Sequence, residues 1–436
     1  MSHPPEHPRH PSPERRPRQP RHACETVFRM ESPRIIAGVT RIVRDVGIAE
    51  ELAQDALVAA LARWPEQGVP ENPGAWLMAT AKHRAVDLVR RRERYAQKLA
   101  EAGRDPETVQ TQSDERADPD PDAVDDDLLR LVFTACHPLL SAAARVALTL
   151  RLLGGLTTAE IARAVLAAEP TVAQRIVRAK RILAAKDIPF EVPRGPERTA
   201  RLASVLEVVH LIFNEGCAAT AGDDWLRPSL CEEGLRLARV LTGLMPEESE
   251  AHGLAALLEL RASRAAARTG PSGEAVLLQE QSRARWNRTL IDRGYAALAR
   301  ARGTADSSRA LGPYALQAAI AACHARAHTY EETDWQQIAV LYGLLAARSP
   351  SPVVELNRAV AVSMAQGPEP GLCLVDALTA EAALRDHHLL PSVRGDLLER
   401  LGRAAEACAE FERAAALAGT ERERELLLAR AASCRL

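Results

Sequence analysis

Apolar residues recur at three- and four-residue steps along most of this chain, a spacing that suits helices and not strands. In ESPRIIAGVTRIVRDV, Glu31 to Val46, one stripe holds Ile35, Ile36, Val39, Ile42 and Val43. IAEELAQDALVAALARW, Ile48 to Trp64, repeats the pattern with Leu52, Ala56, Ala59 and Ala60. Long runs of Ala, Leu and Arg without period-two alternation point the same way, since these side chains lose little rotamer freedom on a helix. The predicted fold class is all-α, and 436 residues leave room for two or three separate cores.

Shifts in composition divide the chain. Residues 1–22 hold seven Pro, four His and five Arg with hardly an apolar side chain, so they are expected to form a disordered tail. A first helical domain is expected over 23–100. Within it Pro65 and Gly68 interrupt the periodic pattern, and ENPGAW restarts it with Asn72 as the cap and Pro73 in the first turn. The helix beginning there carries Trp76, Leu77, Ala81, Ala85 and Leu88 on one side. Between Lys82 and Lys98 it has seven basic residues against Asp87 and Glu93. Residues 112–127 reverse this with eight acids against Arg116, which predicts an acidic linker over 101–126. A second domain is expected over 127–190, closed by PFEVPRGPER, and an Ala-rich helical domain over 197–436.

The second domain contains LTTAEIARAVLAAEPTVAQRIVRAKRIL, Leu156 to Leu183. Thr157 followed by Glu160 is a capping-box start for a short helix. After a tight turn, Pro170 opens a second helix rich in Arg and Lys. Ala162 is small enough for close approach, and Ile161, Val172 and Ile176 supply an apolar joint, which together describe a helix-turn-helix. Leu166 stands where such turns commonly have a Gly nearby. With Val172, Ile176 and Leu183 inward, Thr171, Gln174, Arg175, Arg178 and Arg181 point outward. Gln and Arg carry the donor forks that read base edges, while Arg and Lys neutralise phosphates. An ordinary solvated basic face is the alternative reading.

The charge balance, 56 basic against 58 acidic residues, gives no global field toward nucleic acid, so any such attraction must be local. Eight Cys without a CxxC pair are expected to be buried reduced thiols, and Cys136 beside His137 lacks a second half for a metal site. No metal and no cofactor are expected. No apolar run approaches a membrane span, and the N-terminus lacks a signal-peptide core, so a cytoplasmic protein is expected. There is no phosphate-cradling Gly loop, nucleophile elbow or pair of catalytic carboxylates, which argues against an enzyme.

Taken in order, these segments resemble a known family. AEELAQDALVAALARW followed by PGAWLMATAKHRAVDLVRRR resembles region two of bacterial RNA polymerase sigma factors of the extracytoplasmic-function class, group 4 of the sigma-70 family. Leu156 to Leu183 resembles region four. FTACHPLLS, LIFNEGCAAT and SPVVELNRAVAV resemble the subgroup with a C-terminal tetratricopeptide-like extension. The resemblance implies transcription initiation with core RNA polymerase and promoter DNA as partners, through the β′ clamp helices and the β flap. It implies polymerase contacts at Glu51, Gln54 and Asp55, and a −10 surface at Lys82, His83, Arg84, Asp87, Arg90 and Arg91. His83 stands where the family often has Asn. A −35 surface is implied at Thr171, Gln174, Arg175 and Arg178, and the acidic linker corresponds to the segment threaded near the RNA exit path. Two weaker domains held apart by polymerase would bind DNA together, because the second contact becomes intramolecular.

In the C-terminal part, GDLLERLGRAAEACAEFERAAALA, Gly395 to Ala418, places Gly395, Gly402, Ala407, Phe411 and Ala414 as in a tetratricopeptide hairpin. Gly367 precedes Gly402 by about one such period, roughly 34 residues. Asn214 and Glu215 read either as pocket or polymerase-contact residues, or as a helix end closed by Gly216. Trp225, Trp286, Trp335 and Tyr342 fit core packing better than a ligand cage. The extension is expected to regulate the promoter-binding part, with a protein partner of its own. A helical-repeat scaffold, or a helix-turn-helix regulator acting without polymerase, are the alternatives.

Overall fold

The computed structural model describes residues 19–102, 121–165, 167–217, 228–268, 270, 276–304, 311–381, 384–385, 387–419 and 421–434. Among them regular structure is helical, with two short 3-10 turns and no strand, as the periodicity predicts. The chain forms two compact units. One comprises residues up to Ile161 together with Pro170–Arg201; the other comprises Ala162–Glu169 and Leu202–Leu436.

The first unit is built on α1 (Gln19–Val43), α2 (Val46–Gln67) and α3 (Pro73–Ala102), which pack pairwise. Arg44, at φ 54°, turns the chain out of α1. Asp45 then caps α2, its Oδ1 accepting the Ile48 N–H at 3.0 Å. The buried face of α2 is mostly alanine, Ala49, Ala53, Ala56 and Ala60, with Trp64 at its end. Such small side chains let α1 and α3 come close. Trp64 meets Trp76 of α3 edge to face at 5.5 Å, fixing the two helix ends together. Asn72 caps α3 as its sequence predicts, accepting the Ala75 N–H at 3.0 Å.

Several boundaries differ from those expected. The first helix begins at Gln19, so residues 19–22 belong to α1 and not to the tail, whose residues 1–18 lie outside the described set. Pro33 and Pro65 sit inside α1 and α2. Pro65 is tolerated because it lies in the last turn, where little helix remains to be disrupted before Gly68 ends it at φ 85°. The acidic linker is shorter than 101–126: α3 reaches Ala102, α4 (Pro121–Ala135) begins with a proline preset for a first turn, and residues 103–120 are outside the described set.

After α4 come α5 (Ala142–Leu152), α6 (Thr158–Ala164) and α7 (Glu169–Ala185). The predicted capping box is present: Thr157 Oγ1 accepts the Glu160 N–H at 3.2 Å, and Glu160 Oε2 accepts the Thr157 N–H at 2.8 Å. Ile161, Val172, Ile176 and Leu183 are buried. Leu166, in the turn, lies outside the described residues. Residues of α8 (Gly195–Cys217) up to Arg201 still belong to the first unit, where Arg201 Nη2 donates to the Phe133 carbonyl at 3.0 Å. The boundary expected at 197 therefore falls inside a helix.

In the second unit, α9 (Pro228–Leu244), α10 (Ser249–Ala262), α11 (Arg288–Thr304), α12 (Pro313–Arg326), α13 (Trp335–Arg348), α14 (Pro352–Gln366), α15 (Pro368–Ala377), α16 (Leu389–Arg400), α17 (Ala404–Leu417) and α18 (Glu421–Ser433) each pack on the next in chain order. This is the contact pattern of a helical solenoid. The predicted small-large alternation is real at α16 and α17: a Cβ on Gly395 would stand 2.8 Å from the Phe411 ring, which is fully buried in the space left free. Gly216 has a related role and stands in the last turn of α8, as one of its two readings expects. It lies within α8, where a Cβ would stand 2.4 Å from the Cys231 backbone nitrogen at the start of α9. Trp286 is buried as core packing requires, while Trp225 lies outside the described residues.

The cysteines depart partly from expectation. Cys24, Cys136, Cys323 and Cys408 are buried, but Cys373 is exposed and Cys231 is disulfide-bonded, its backbone lying close to Gly216 near the end of α8. Among the described residues no cluster of His, Cys, Asp and Glu could hold a metal ion, and Cys136 Sγ instead lies 3.4 Å from Thr149 Oγ1. No described helix is long and apolar enough to cross a membrane. Because Phe411 fills the space above Gly395, Phe411→Ala should cost about 3–5 kcal/mol, measured as a fall in the denaturation midpoint of the full chain followed through the second unit.

Candidate polymerase and promoter interfaces

The residues of α7 implied to read the −35 element share the outward side of that helix. Its buried face is Val172, Ile176, Ala179 and Leu183. This leaves Thr171, Gln174 and Arg178 exposed and Arg175 partly exposed. Among the described residues neither Arg175 nor Arg178 forms an ion pair, so both guanidinium forks face outward without an internal partner.

On α3 the expected −10 residues do not form one uniform surface. His83, Asp87, Arg90 and Arg91 are exposed. Arg84 is partly turned back, its Nη1 lying 3.4 Å from Asp55 Oδ2 of α2. Lys82 points toward α1, with its chain near Gly38, and toward α4, where Asp127 is buried. Burial and then the neighbouring Arg41 hold the Lys82 ammonium below its ordinary pKa, against the opposing pull of Asp127. Asp127 itself is raised, because burial outweighs Arg41, Arg130 and Lys82. Lys82 thus belongs to an internal charge group, apart from the exposed part of the helix.

Glu51 and Asp55 are exposed on α2, and Gln54 is half-buried with its Nε2 donating to Glu50 Oε1 at 2.8 Å. Glu50 is the residue that sequence reasoning missed. It lies on the alanine face of α2 and is only 4% exposed, far from ordinary for a carboxylate. Its Oε1 accepts from Arg151 Nε of α5 at 2.6 Å, and its Oε2 pairs with the Lys180 ammonium of α7. The only local signal was an acid on an otherwise small apolar stripe.

A second bridge accompanies it. Arg29 Nη2 of α1 lies 2.8 Å from Glu160 Oε1. Burial alone would raise the Glu160 carboxyl, but hydrogen bonds from Thr157 and Arg29 outweigh it and hold the group below the ordinary carboxylate range. Arg41 reaches Asp127 at 3.5 Å, and a Cβ on Gly155 would stand 3.1 Å from the Arg29 carbonyl. The α1–α3 bundle, α4, α5 and the body of α7 from Pro170 therefore lie in one unit. The two regions on either side of the expected linker are joined by these paired charges.

Comparison with known proteins follows the same divisions. Residues 27–95 match Sigma-70 region 2, residues 130–183 match Sigma-70, region 4, and residues 201–302 match a family of unknown function, DUF6596. A protein of Rhizobium meliloti (strain 1021), described only as uncharacterized, is 43% identical over 391 residues, covering 88% of this chain and 90% of that protein. The first match spans α1 to α3, whose packing places Glu50; the second contains Arg151 and the whole outward face of α7. The third begins at Arg201, the last residue of the first compact unit. With both domains of a transcription initiation factor present in order, and a helical extension after them, the chain belongs to the sigma-70 family as an extracytoplasmic-function-like sigma factor.

Proposed function

We propose that this sigma factor directs core polymerase to promoters by using α3 at the −10 element and α7 at the −35 element, with Glu51, Gln54 and Asp55 of α2 meeting the β′ clamp helices and the α4–α7 segment meeting the β flap. The observation that carries the DNA reading is the face of α7: Thr171, Gln174, Arg175 and Arg178 lie together opposite the buried Val172 and Ile176. Gln and Arg side chains with outward donors fit base edges in a major groove. Exposed His83, Arg90 and Arg91 fit backbone and base contacts on an opened strand.

The Glu50 bridge sets a condition on this mechanism. Promoter elements occupied at the same time lie apart on DNA, whereas Glu50 ties α2 to α5 and α7. The closed form is the resting state, and core polymerase supplies the free energy that opens it. Polymerase then fixes the separation, which makes the second promoter contact effectively intramolecular. The extension from Leu202 onward regulates this step, a role supported by its covalent attachment and its solenoid of stacked helices.

Three measurements test these statements. Arg175→Ala should weaken holoenzyme binding at a matched promoter by about 1–3 kcal/mol and relax preference at one −35 position, read by selection from a randomised promoter library. An unchanged preference would assign Arg175 to phosphate contact. Glu50→Ala leaves Arg151 and Lys180 without their shared partner; both keep some solvent, so a loss of about 1–3 kcal/mol in first-unit stability is expected, with a wider scattering profile of the free protein. An equally compact variant would remove the resting-state proposal. In transcription with core polymerase, a chain ending at Arg201 should differ from the full chain in activity or promoter choice; identical behaviour would sink the regulatory role.

A further inference from the structure

Most of the larger apolar side chains of α7 turn inward, and one does not. Of the five Val, Ile and Leu residues on this helix, Val172, Ile176 and Leu183 are buried and Ile182 is half-buried, whereas Val177 is 55% exposed. Packing of the first unit gives no reason for a valine at that position, since a polar side chain there would leave the buried face unchanged. Successive helical residues turn by about 100°. Val177 therefore shares the outward side of α7 with Gln174, one turn before it, and Arg181, one turn after it, and Arg178 stands beside it. All three of these polar neighbours are exposed.

A single apolar side chain on a protein surface needs no explanation by itself. This one stands within the face of α7 whose Gln and Arg side chains suit base edges and phosphates. Valine has no donor for a phosphate and no partner for a polar base edge. Its contribution to such a contact is to shed water together with another apolar group. In the major groove all four bases present donors or acceptors, and thymine alone adds an apolar group, its C5-methyl.

Spacing and charge point to the same contact. Three residues of α-helix rise about 4.5 Å, little more than one base-pair step of about 3.4 Å. With Gln174 over one base edge, Val177 reaches the next. Glutamine pairs bidentately with N6 and N7 of adenine, so the two residues together fit adjacent A·T pairs. Arg178 and Arg181 flank Val177 and carry the charge that draws the helix onto phosphates. A methyl contact needs that close approach, because apolar groups gain only within about 4.0–4.5 Å of one another.

We propose that Val177 is a further specificity-determining residue for the −35 element, reading the methyl group of a thymine in the base pair next to the one contacted by Gln174. This rests on α7 occupying the major groove, as proposed above, and extends it to a named base and the atom that is read.

Deoxyuridine provides the test, since it pairs as thymine does and lacks only the C5-methyl. In a promoter selected by the holoenzyme, each −35 thymine is replaced in turn and binding of the full chain with core polymerase is measured. One replacement should weaken binding about 4-fold, the effect of returning one methyl group to water. That position should adjoin the one whose preference is relaxed by Gln174→Ala. With Val177→Ala, thymine and deoxyuridine there should bind equally, and the unmodified promoter should be weakened by a similar factor. The melting temperature of the free variant should be unchanged because Val177 is exposed; Val177→Ser, which also removes both methyl groups, serves if the alanine variant does not fold. Deoxyuridine without effect at every position, or with an equal effect in wild type and Val177→Ala, overturns the inference. So does a Val177→Ala chain that no longer joins core polymerase, which would place Val177 at a protein contact. In these cases the −35 assignment of α7 still stands if Gln174→Ala or Arg178→Ala changes promoter preference; if neither does, both readings fall.

Discussion

Buried carboxylates tie the two sigma regions of this molecule together, Glu50 foremost among them and Asp127 beside it. Glu50 sits on the apolar side of α2 and is met by Arg151 from α5 and by Lys180 from α7. Taking such a group out of water is costly, and the cost is offset only while both cations stay in place. The two sigma regions are therefore coupled through paired charges, with Arg29–Glu160 and Arg41–Asp127 beside the Glu50 bridge, as well as through the packing of α1 on α4. Coupling of that kind is strong when water is excluded and weakens quickly once water enters, a property suited to a joint that opens on a larger partner.

Each unit rests on different physics. In the first, alanines of α2 and the Trp64–Trp76 pair bring three helices close, and charge pairs then attach the region-four segment. In the second, consecutive helices pack in chain order, with Gly395 and Phe411 filling one another's space. The first is joined along a polar seam; the second has apolar clusters between its successive helices, one of them formed by Leu397, Phe411, Ala414 and their neighbours.

How much of this was legible in the sequence depended on distance along the chain. The Thr157–Glu160 capping box, the Asn72 cap and the outward face of α7 are decided within one or two helical turns, and each stands where the residues predict. Pro65 misled, because a proline costs little when the helix ends two residues later. The linker bounds misled in the same way, since Pro121 starts a helix as readily as it interrupts one. Glu50 and its partners could not be found locally: Arg151 lies 101 residues away, and Arg29 reaches Glu160 across 131.

The sequence separation across the Glu50 bridge also orders events during synthesis. The solenoid's contacts join consecutive helices, so it can form progressively as it leaves the ribosome. Glu50, by contrast, emerges long before Arg151 and Lys180 exist to receive it. For that interval the nascent α1–α3 bundle carries an unmatched acid on its interior face, and only translation through α7 completes the seam.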